Sequence, residues 1–257
     1  MTRRLIGLLL TVTAVAALLT GCFGGGRKQI SSDPAQLLEE ARAKFEKKKY
    51  FSAREIINIL MVDPSATPAV IAEGQILLAD TYFFDKGFQN LTEAQSRYQS
   101  FISFHPRHEK IDYAQFQLGM CLFLQVLNPD RDQLQTLKAI EVFQKIEDLY
   151  PGSPYIEPAR EKILECRDRI AEHEFVVGRY YMKKDAHDAA LQRFLVIHQN
   201  YPGYTRREKL YFYMARAYRG MGRREKAREF LKRILQEFPE GKYAKEARRD
   251  LKKIKSD

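Results

Sequence analysis

Cysteine is scarce in this sequence and tryptophan is absent, although phenylalanine and tyrosine are plentiful enough to build a core. The 257 residues include 3 Cys, 16 Phe and 14 Tyr. Besides Cys22, the cysteines are Cys121 and Cys166, which lie in apolar periodic stretches. They are predicted to be buried thiols, with a disulfide between them as the alternative in an oxidising compartment. So few cysteines exclude a fold built on a disulfide framework.

The residue patterns of metal sites and of catalysis are missing as well. No cluster of Cys and His has the spacing of a zinc site, and His105 and His108 predict a solvated turn. There is no nucleophile–base pair, phosphate-binding loop or isolated carboxylate pair. Glu39–Glu40 and Glu172–Glu174 are interpreted as solvated helical charge. The sequence therefore predicts a protein that has no catalytic residue, metal or cofactor.

No apolar run is long enough to span a bilayer. The uncharged run from Leu5 to Leu19 falls short of the roughly 20 residues that a membrane-spanning helix needs. It follows two arginines and predicts a cleaved export signal over residues 1–21. Its end, Leu-Thr-Gly-Cys, resembles a bacterial lipobox, which implies a diacylglycerol and an amide-linked acyl chain on Cys22. Such an anchor is effectively permanent. The alternative is an ordinary secretory signal or a membrane stub.

Residues 22–33 are predicted to be a lipidated, flexible tether because they are rich in glycine and serine. Phe23 follows Cys22, where an aspartate would resemble an inner-membrane retention signal. The periplasmic face of the outer membrane is therefore the favoured location. Export from the cytoplasm also argues against nucleic acid as a partner.

Positive charge is concentrated at one end of the chain. The formal net charge is +10, and the segment from Tyr204 to Asp257 holds 18 Lys and Arg against 8 Asp and Glu. This basic end indicates an acidic partner or an anionic surface. The alternative is a solubilising helix that caps a repeat array.

One spacing recurs along the chain: a small residue, an apolar residue four positions later, another three later, and a proline five later. Steps of three and four place these side chains on one helical face, and the proline ends the helix. The pattern occurs at residues 94–106, 139–151, 190–202 and 227–239, with a shortened copy at residues 53–64. A second helix precedes each copy and carries its own small residue: Ala41, Ala79, Gly119, Gly178 or Ala215.

This register is the tetratricopeptide pattern of helix, turn and helix. We predict an all-α tetratricopeptide-repeat superhelix of five helical hairpins with a C-terminal capping helix from Tyr243 to Ile254. Repeats 1–3 are expected in residues 34–153. Repeats 4 and 5 are expected in residues 154–257, where a long connecting helix begins at Ile156 because no helix breaker follows its first turn. The insertion from Val126 to Asp132 predicts a loop.

Three local strings resemble the BamD family, also called ComL or YfiO, of tetratricopeptide lipoproteins in the outer-membrane β-barrel assembly machine. They are HEKIDY at residues 108–113, YPGSPY at 150–155 and RDRIA at 167–171. The resemblance covers essentially the whole chain and implies a non-enzymatic periplasmic scaffold of the BAM complex. The N-terminal repeats would receive unfolded outer-membrane β-barrel proteins through their C-terminal targeting segments. The C-terminal repeats would dock on a POTRA domain of BamA, with other Bam lipoproteins as further partners.

The alternative hypothesis is a scaffold of the same fold that binds a different partner. Tetratricopeptide lipoproteins also serve pilus assembly, or coordinate cell-wall synthesis with outer-membrane constriction. The repeats alone do not distinguish among these scaffolds, because they occur in many unrelated ones.

The first helix of each hairpin is expected to line the concave side and to form a trough for an extended, β-prone peptide. The predicted client-binding residues are Arg42, Phe45, Asp80, Phe83, Phe84 and Phe116. Because Phe83 and Phe84 are adjacent on a helix, one of them is expected to be exposed. The alternative for each of these rings is packing between repeats.

At the other end, arginines offer forked donors for the carboxylates of a partner. Arg193 resembles, by its position before Phe194, the arginine that relatives use at the POTRA contact. The predicted BamA-binding residues are Arg193, Arg179, Arg216, Arg219 and Arg223. Surface solvation is the alternative for these side chains.

Overall fold

The computed structural model describes residues 33–125, 128–129 and 131–256, and these residues form eleven helices and no strand. The helices are α1 (Pro34–Glu46), α2 (Tyr50–Met61), α3 (Pro68–Asp85), α4 (Phe88–Phe104), α5 (Ile111–Leu124), α6 (Leu134–Leu149), α7 (Ile156–Lys183), α8 (His187–Asn200), α9 (Arg207–Gly220), α10 (Arg224–Glu237) and α11 (Ala244–Ser256). The predicted signal peptide, Cys22 and the tether up to residue 32 lie outside the described residues.

The helices stack as hairpins in chain order. Each helix packs against the next one along the chain, from α1 through to α11. The first helices of neighbouring hairpins also meet, α1 with α3, α5 with α7, and α7 with α9. The first helices therefore share one side of the array, and the second helices lie behind them. The predicted all-α array of five hairpins with a capping helix is confirmed.

Small residues lie at the buried contacts between paired helices. Each copy of the recurring pattern begins with a small residue that is fully buried, namely Ala53, Ala94, Ala139, Ala190 or Ala227. In the partner helices, a Cβ atom on Gly119 would overlap the ring of Phe143, and one on Gly178 would overlap the ring of Phe194. Glycine at these two positions lets a phenylalanine from the second helix lie directly on the backbone of the first.

Prolines follow the second helices, as the repeat predicts. Pro106, Pro151, Pro202 and Pro239 each lie two residues beyond the last helical residue of α4, α6, α8 and α10. In three hairpins the turn contains one residue of positive φ, namely Lys48, Asp185 or Gly222, and the turn between α3 and α4 contains two, Lys86 and Gly87. The turns are short, so neighbouring helices are held antiparallel.

Helix α7 belongs to two hairpins at once. Its 28 residues confirm the predicted long helix. Ala159, Ile163 and Cys166 in its first half join the core around Phe143, while Phe175 in its second half joins the core around Phe194. One continuous helix therefore carries packing from the N-terminal to the C-terminal repeats.

The two described cysteines are free and buried. Burial raises the pKa of the Cys121 thiol to about 12 and that of the Cys166 thiol to about 11. They are packing residues, and the alternative of a disulfide between them is wrong.

Candidate functional site

A cavity of about 480 Å³ opens among the first helices of the N-terminal repeats. Helices α1, α3 and α5 contribute to it, together with the turns that precede α5 and α7. It is lined by Arg42, Glu73, Ile76, Leu77, Asp80, Glu109, Lys110, Asp112, Tyr113, Pro154 and Tyr155. Its volume lies within the range of roughly 300–1,000 Å³ that is usual for ligand sites.

Glu73 is the centre of an ion-pair network at this cavity. Its Oε2 accepts a hydrogen bond from Arg42 Nη2 at 2.6 Å and one from Lys110 Nζ at 2.7 Å. His108 Nε2 lies 3.7 Å from its Oε1. Burial alone raises the pKa of Glu73, but Lys110 and Arg42 together outweigh that effect and hold the pKa below its ordinary value. Glu73 therefore stays ionised and keeps both cations in place.

Asp80 is the most buried charged group of the cavity. The hydroxyls of Tyr98 and Tyr113 both donate to its Oδ1, at 2.5 and 2.8 Å. Burial raises the pKa of Asp80 to about 6, although the two tyrosines and Lys110 favour its ionised form. A carboxylate kept at such a cost in desolvation is a candidate for function.

Aromatic rings form the wall beside Asp80. Tyr113 and Tyr155 lie 5.9 Å apart between ring centroids, and Tyr155 stacks on Phe116 at 5.1 Å. The Ser153 hydroxyl donates to Asp112 Oδ2 at 2.7 Å, which ties the turn before α7 to the start of α5. The position of Tyr155 is therefore fixed from both sides.

Two of the six predicted client-binding residues line this cavity, namely Arg42 and Asp80. Phe45 and Phe83 instead form an aromatic cluster with Phe84, whose centroid lies 5.6 Å from Phe45 and 5.1 Å from Phe83. Phe84 is 40% exposed and Phe83 is half-buried, which confirms that one of the pair is exposed. Phe116 lies behind Tyr155 and also contacts Phe143. It belongs to the packing between repeats.

The predicted client-binding residues were chosen by their position relative to the small residue of each first helix. This rule did not select Glu73, Lys110, Tyr113 or Tyr155. These residues lie at other positions of the first helices or in the turns that precede them. The sequence nevertheless indicated most of them through its family resemblance, because the strings HEKIDY and YPGSPY supply six of the eleven residues that line the cavity. These strings follow the ends of α4 and α6, so they form the rim that adjoining hairpins share.

The predicted partner-binding arginines occupy three different settings. Arg179 and Arg216 meet at one ring, because their guanidinium carbons lie 5.6 and 5.8 Å from the centroid of Tyr213. Arg193 donates to Glu174 Oε2 at 3.1 Å, and Arg219 donates to Asp250 Oδ2 at 3.1 Å.

The fifth of these arginines, Arg223, is exposed in the turn before α10. Only Arg179 and Arg216 are therefore brought together by a shared contact among the described residues.

The interpretation of Glu172 and Glu174 as solvated charge is wrong. Their side chains are 14% and 17% exposed. Glu172 accepts a hydrogen bond from the Tyr204 hydroxyl and pairs with Arg206 at 2.5 Å. These carboxylates bind residues far away in sequence, which local charge patterns do not reveal.

The turn of His105 and His108 is also more enclosed than predicted. Their rings pack on Phe101 at centroid distances of 5.0 and 5.1 Å, and His105 Nε2 lies 2.6 Å from Gln75 Oε1. In the described ranges, His, Cys, Asp and Glu side chains form no group of three or more that could hold a metal ion. No helix in this part of the chain is long and apolar enough to cross a membrane.

These features define a helical-repeat protein with a charged, aromatic cavity on the side of its first helices and arginines at its far end. The family model of YfiO, described as an outer membrane lipoprotein, matches residues 31–231. The chain belongs to this family.

Curated relatives agree over most of the chain. An outer membrane protein assembly factor BamD of Vibrio cholerae is 26% identical over 233 residues, which cover 87% of this chain and 95% of the relative. A BamD of Neisseria meningitidis serogroup A is 27% identical and covers 92% of each chain. A tetratricopeptide-repeat structure from Thermus thermophilus is 13% identical, with a TM-score of 0.37 over 86% of this chain and 98% of that one.

Proposed function

We propose that this protein is a non-enzymatic scaffold that takes part in the assembly of outer-membrane β-barrel proteins. Its family of outer membrane lipoproteins and the relatives named as assembly factors support this role. The N-terminal residues support a lipid anchor on Cys22 that holds the repeats at the periplasmic face of the outer membrane.

The N-terminal repeats receive the client. The observation that carries this proposal is the cavity in which ion pairs and tyrosine rings stand side by side. An unfolded barrel segment is extended and alternates aromatic with polar side chains. Such a segment offers rings to Tyr113 and Tyr155 and polar groups to the charged residues of the cavity. Phe84 extends the apolar surface farther along α3.

The C-terminal repeats dock on the POTRA domain of BamA. Arg179 and Arg216 support this assignment because Tyr213 holds both side chains near one place. Their forked donors match carboxylates on a partner surface. Arg193 keeps 44% of its side chain exposed while it pairs with Glu174, so part of its guanidinium remains accessible to a partner.

Affinity purification of the full-length protein from detergent-solubilised outer membranes tests this function. BamA and unfolded barrel proteins are the expected partners. A Cys22→Ser form is expected to leave the membrane fraction, which tests the anchor separately. Capture of a pilus secretin or a cell-wall synthase in place of BamA would replace barrel assembly with another scaffold role.

A further inference from the structure

The cavity in the N-terminal repeats carries an excess of negative charge. Its lining holds two cations, Arg42 and Lys110, and four carboxylates: Glu73, Asp80, Glu109 and Asp112. Both cations donate to the same oxygen of Glu73, and Arg42 also pairs with Glu39 at 3.2 Å. The positive groups of the cavity are therefore already matched within the protein. The remaining charge favours a positively charged group from outside.

Asp80 is the carboxylate placed to receive that group. Both tyrosine hydroxyls donate to Oδ1, so Oδ2 remains outside this pair of bonds. Asp80 is half-buried and lines the cavity. Because the surroundings of Asp80 are poorly solvated, its attraction for a cation is stronger than that of a surface carboxylate.

The rings of Tyr113 and Tyr155 add a second feature that suits a cation. Both line the cavity and lie 5.9 Å apart between centroids. Aromatic faces attract ammonium and guanidinium groups, and they also pack against the alkyl stem of a lysine or arginine. A carboxylate beside two tyrosines thus matches both parts of a long basic side chain.

We propose that this cavity binds a lysine or arginine side chain of the client segment, with Asp80 as its charge partner. The inference rests on the proposed function and deepens it by naming what the cavity recognises. It recognises an internal basic residue flanked by aromatic residues, and it does not recognise the carboxylate at the end of the client chain.

Matched synthetic peptides test the proposal by fluorescence anisotropy with the full-length, detergent-purified protein. The reference peptide alternates Phe and Gln, contains one central Lys and carries an amidated C-terminus. Replacement of the Lys by norleucine, which keeps the alkyl chain and removes the charge, is expected to weaken binding about tenfold, as for the loss of one hydrogen bond to a charged group. A free C-terminal carboxylate in place of the amide is expected to leave affinity unchanged.

Asp80→Asn identifies the residue responsible. The asparagine Oδ1 still accepts from Tyr98 and Tyr113, so the variant removes the charge and keeps the local bonds. It is expected to bind the Lys and norleucine peptides equally. Asp148→Asn is the matched control, because Asp148 is exposed on α6 and outside the cavity lining. This control is expected to keep the tenfold preference for Lys.

Three results would overturn the proposal while the proposed function stands. They are equal affinity of the unaltered protein for the Lys and norleucine peptides, a Lys preference that persists in Asp80→Asn, and binding that requires the free carboxylate. The last result would assign recognition to Arg42 and Lys110. If the protein binds neither these peptides nor any unfolded barrel protein, both the proposal and client recognition are wrong.

Discussion

The two ends of the repeat array hold their charges in different ways. In the N-terminal repeats, Glu73 and Asp80 are enclosed with their partners around a cavity. In the C-terminal repeats, Arg216 and Arg219 lie at the surface, one over aromatic rings and the other beside Asp250. An enclosed charge selects a particular group but costs stability. An exposed charge recognises a partner's surface at little cost. Under the proposed function, the enclosed charges would select a ligand and the exposed arginines would dock on a partner's surface.

The largest expected effect is at the enclosed end, in Asp80→Asn. Burial raises the pKa of Asp80 from its ordinary value of 3.8 to about 6 in the folded protein. The folded protein therefore favours the protonated form of Asp80. The stability that this form contributes is fully present below about pH 4 and is lost as pH rises through 6. We expect the variant to be more stable than the unaltered protein by about 3 kcal/mol at neutral pH, with the difference falling below about 1 kcal/mol near pH 4.

Urea unfolding of both proteins at these two pH values measures the difference. Burial raises the pKa of Tyr98 and that of Tyr113, so both hydroxyls keep their protons at the two pH values. A variant that is less stable at neutral pH would mean that the charge of Asp80 supports the fold. Greater stability together with weaker peptide binding would show that the charge is kept for recognition.

The next effect is at the exposed end, in Arg216→Glu. We expect this reversal to weaken association with BamA by roughly 2 kcal/mol, or about thirtyfold, because repulsion replaces attraction at the proposed docking surface. The thermal unfolding midpoint should change little, since the side chain is exposed. Co-purification and surface binding to the isolated POTRA domain measure the loss. Arg107→Glu, at an exposed arginine of the N-terminal repeats, is the matched control.

Arg193 lies between these two extremes. Its partner Glu174 is only 17% exposed, so Arg193→Glu places two carboxylates together in a poorly solvated setting. We expect the free energy of unfolding to fall by about 1 kcal/mol in Arg193→Glu, and by less in Arg193→Gln, which keeps a donor for Glu174. Reduced BamA binding by Arg193→Gln at unchanged stability would place Arg193 in the interface. Unchanged binding would make it a purely structural residue.

The helical fold could be predicted from sequence because its signals are local. Each copy of the pattern spans about one helix. Ala190 and Pro202, for example, lie at the two ends of one copy and together predict a single helix of one hairpin. The cavity could be predicted only in part, because it is built by residues that come together across hairpins. Tyr113 and Asp80 are 33 positions apart, and their contact depends on how α5 packs beside α3. No spacing rule along one helix reveals such a pair.

The smallest expected effects concern the turns, which the two ends share. Lys48, Asp185 and Gly222 have φ values of 57°, 56° and 72°. In each turn, the next residue donates its backbone N–H to the carbonyl five positions earlier, from Lys49 to Lys44 in the first. A left-handed conformation costs a non-glycine residue roughly 1–2 kcal/mol, which a substitution by glycine removes. Glycine also gives the unfolded chain more conformational freedom, which lowers the free energy of unfolding by about 0.4–1 kcal/mol.

We therefore expect Lys48→Gly and Asp185→Gly each to raise the free energy of unfolding by about 0.5 kcal/mol, and Gly222→Ala to lower it by about 1 kcal/mol. Urea midpoints at constant slope measure these changes. Equal increases in the free energy of unfolding for Lys48→Gly and Asp185→Gly would mean that the turns at the two ends of the array are energetically alike. The two ends would then differ in their charges and not in their turns. A loss at Asp185 alone would show that its carboxylate contributes more than its backbone strain costs, and the contrast between the two ends would then extend to the turns.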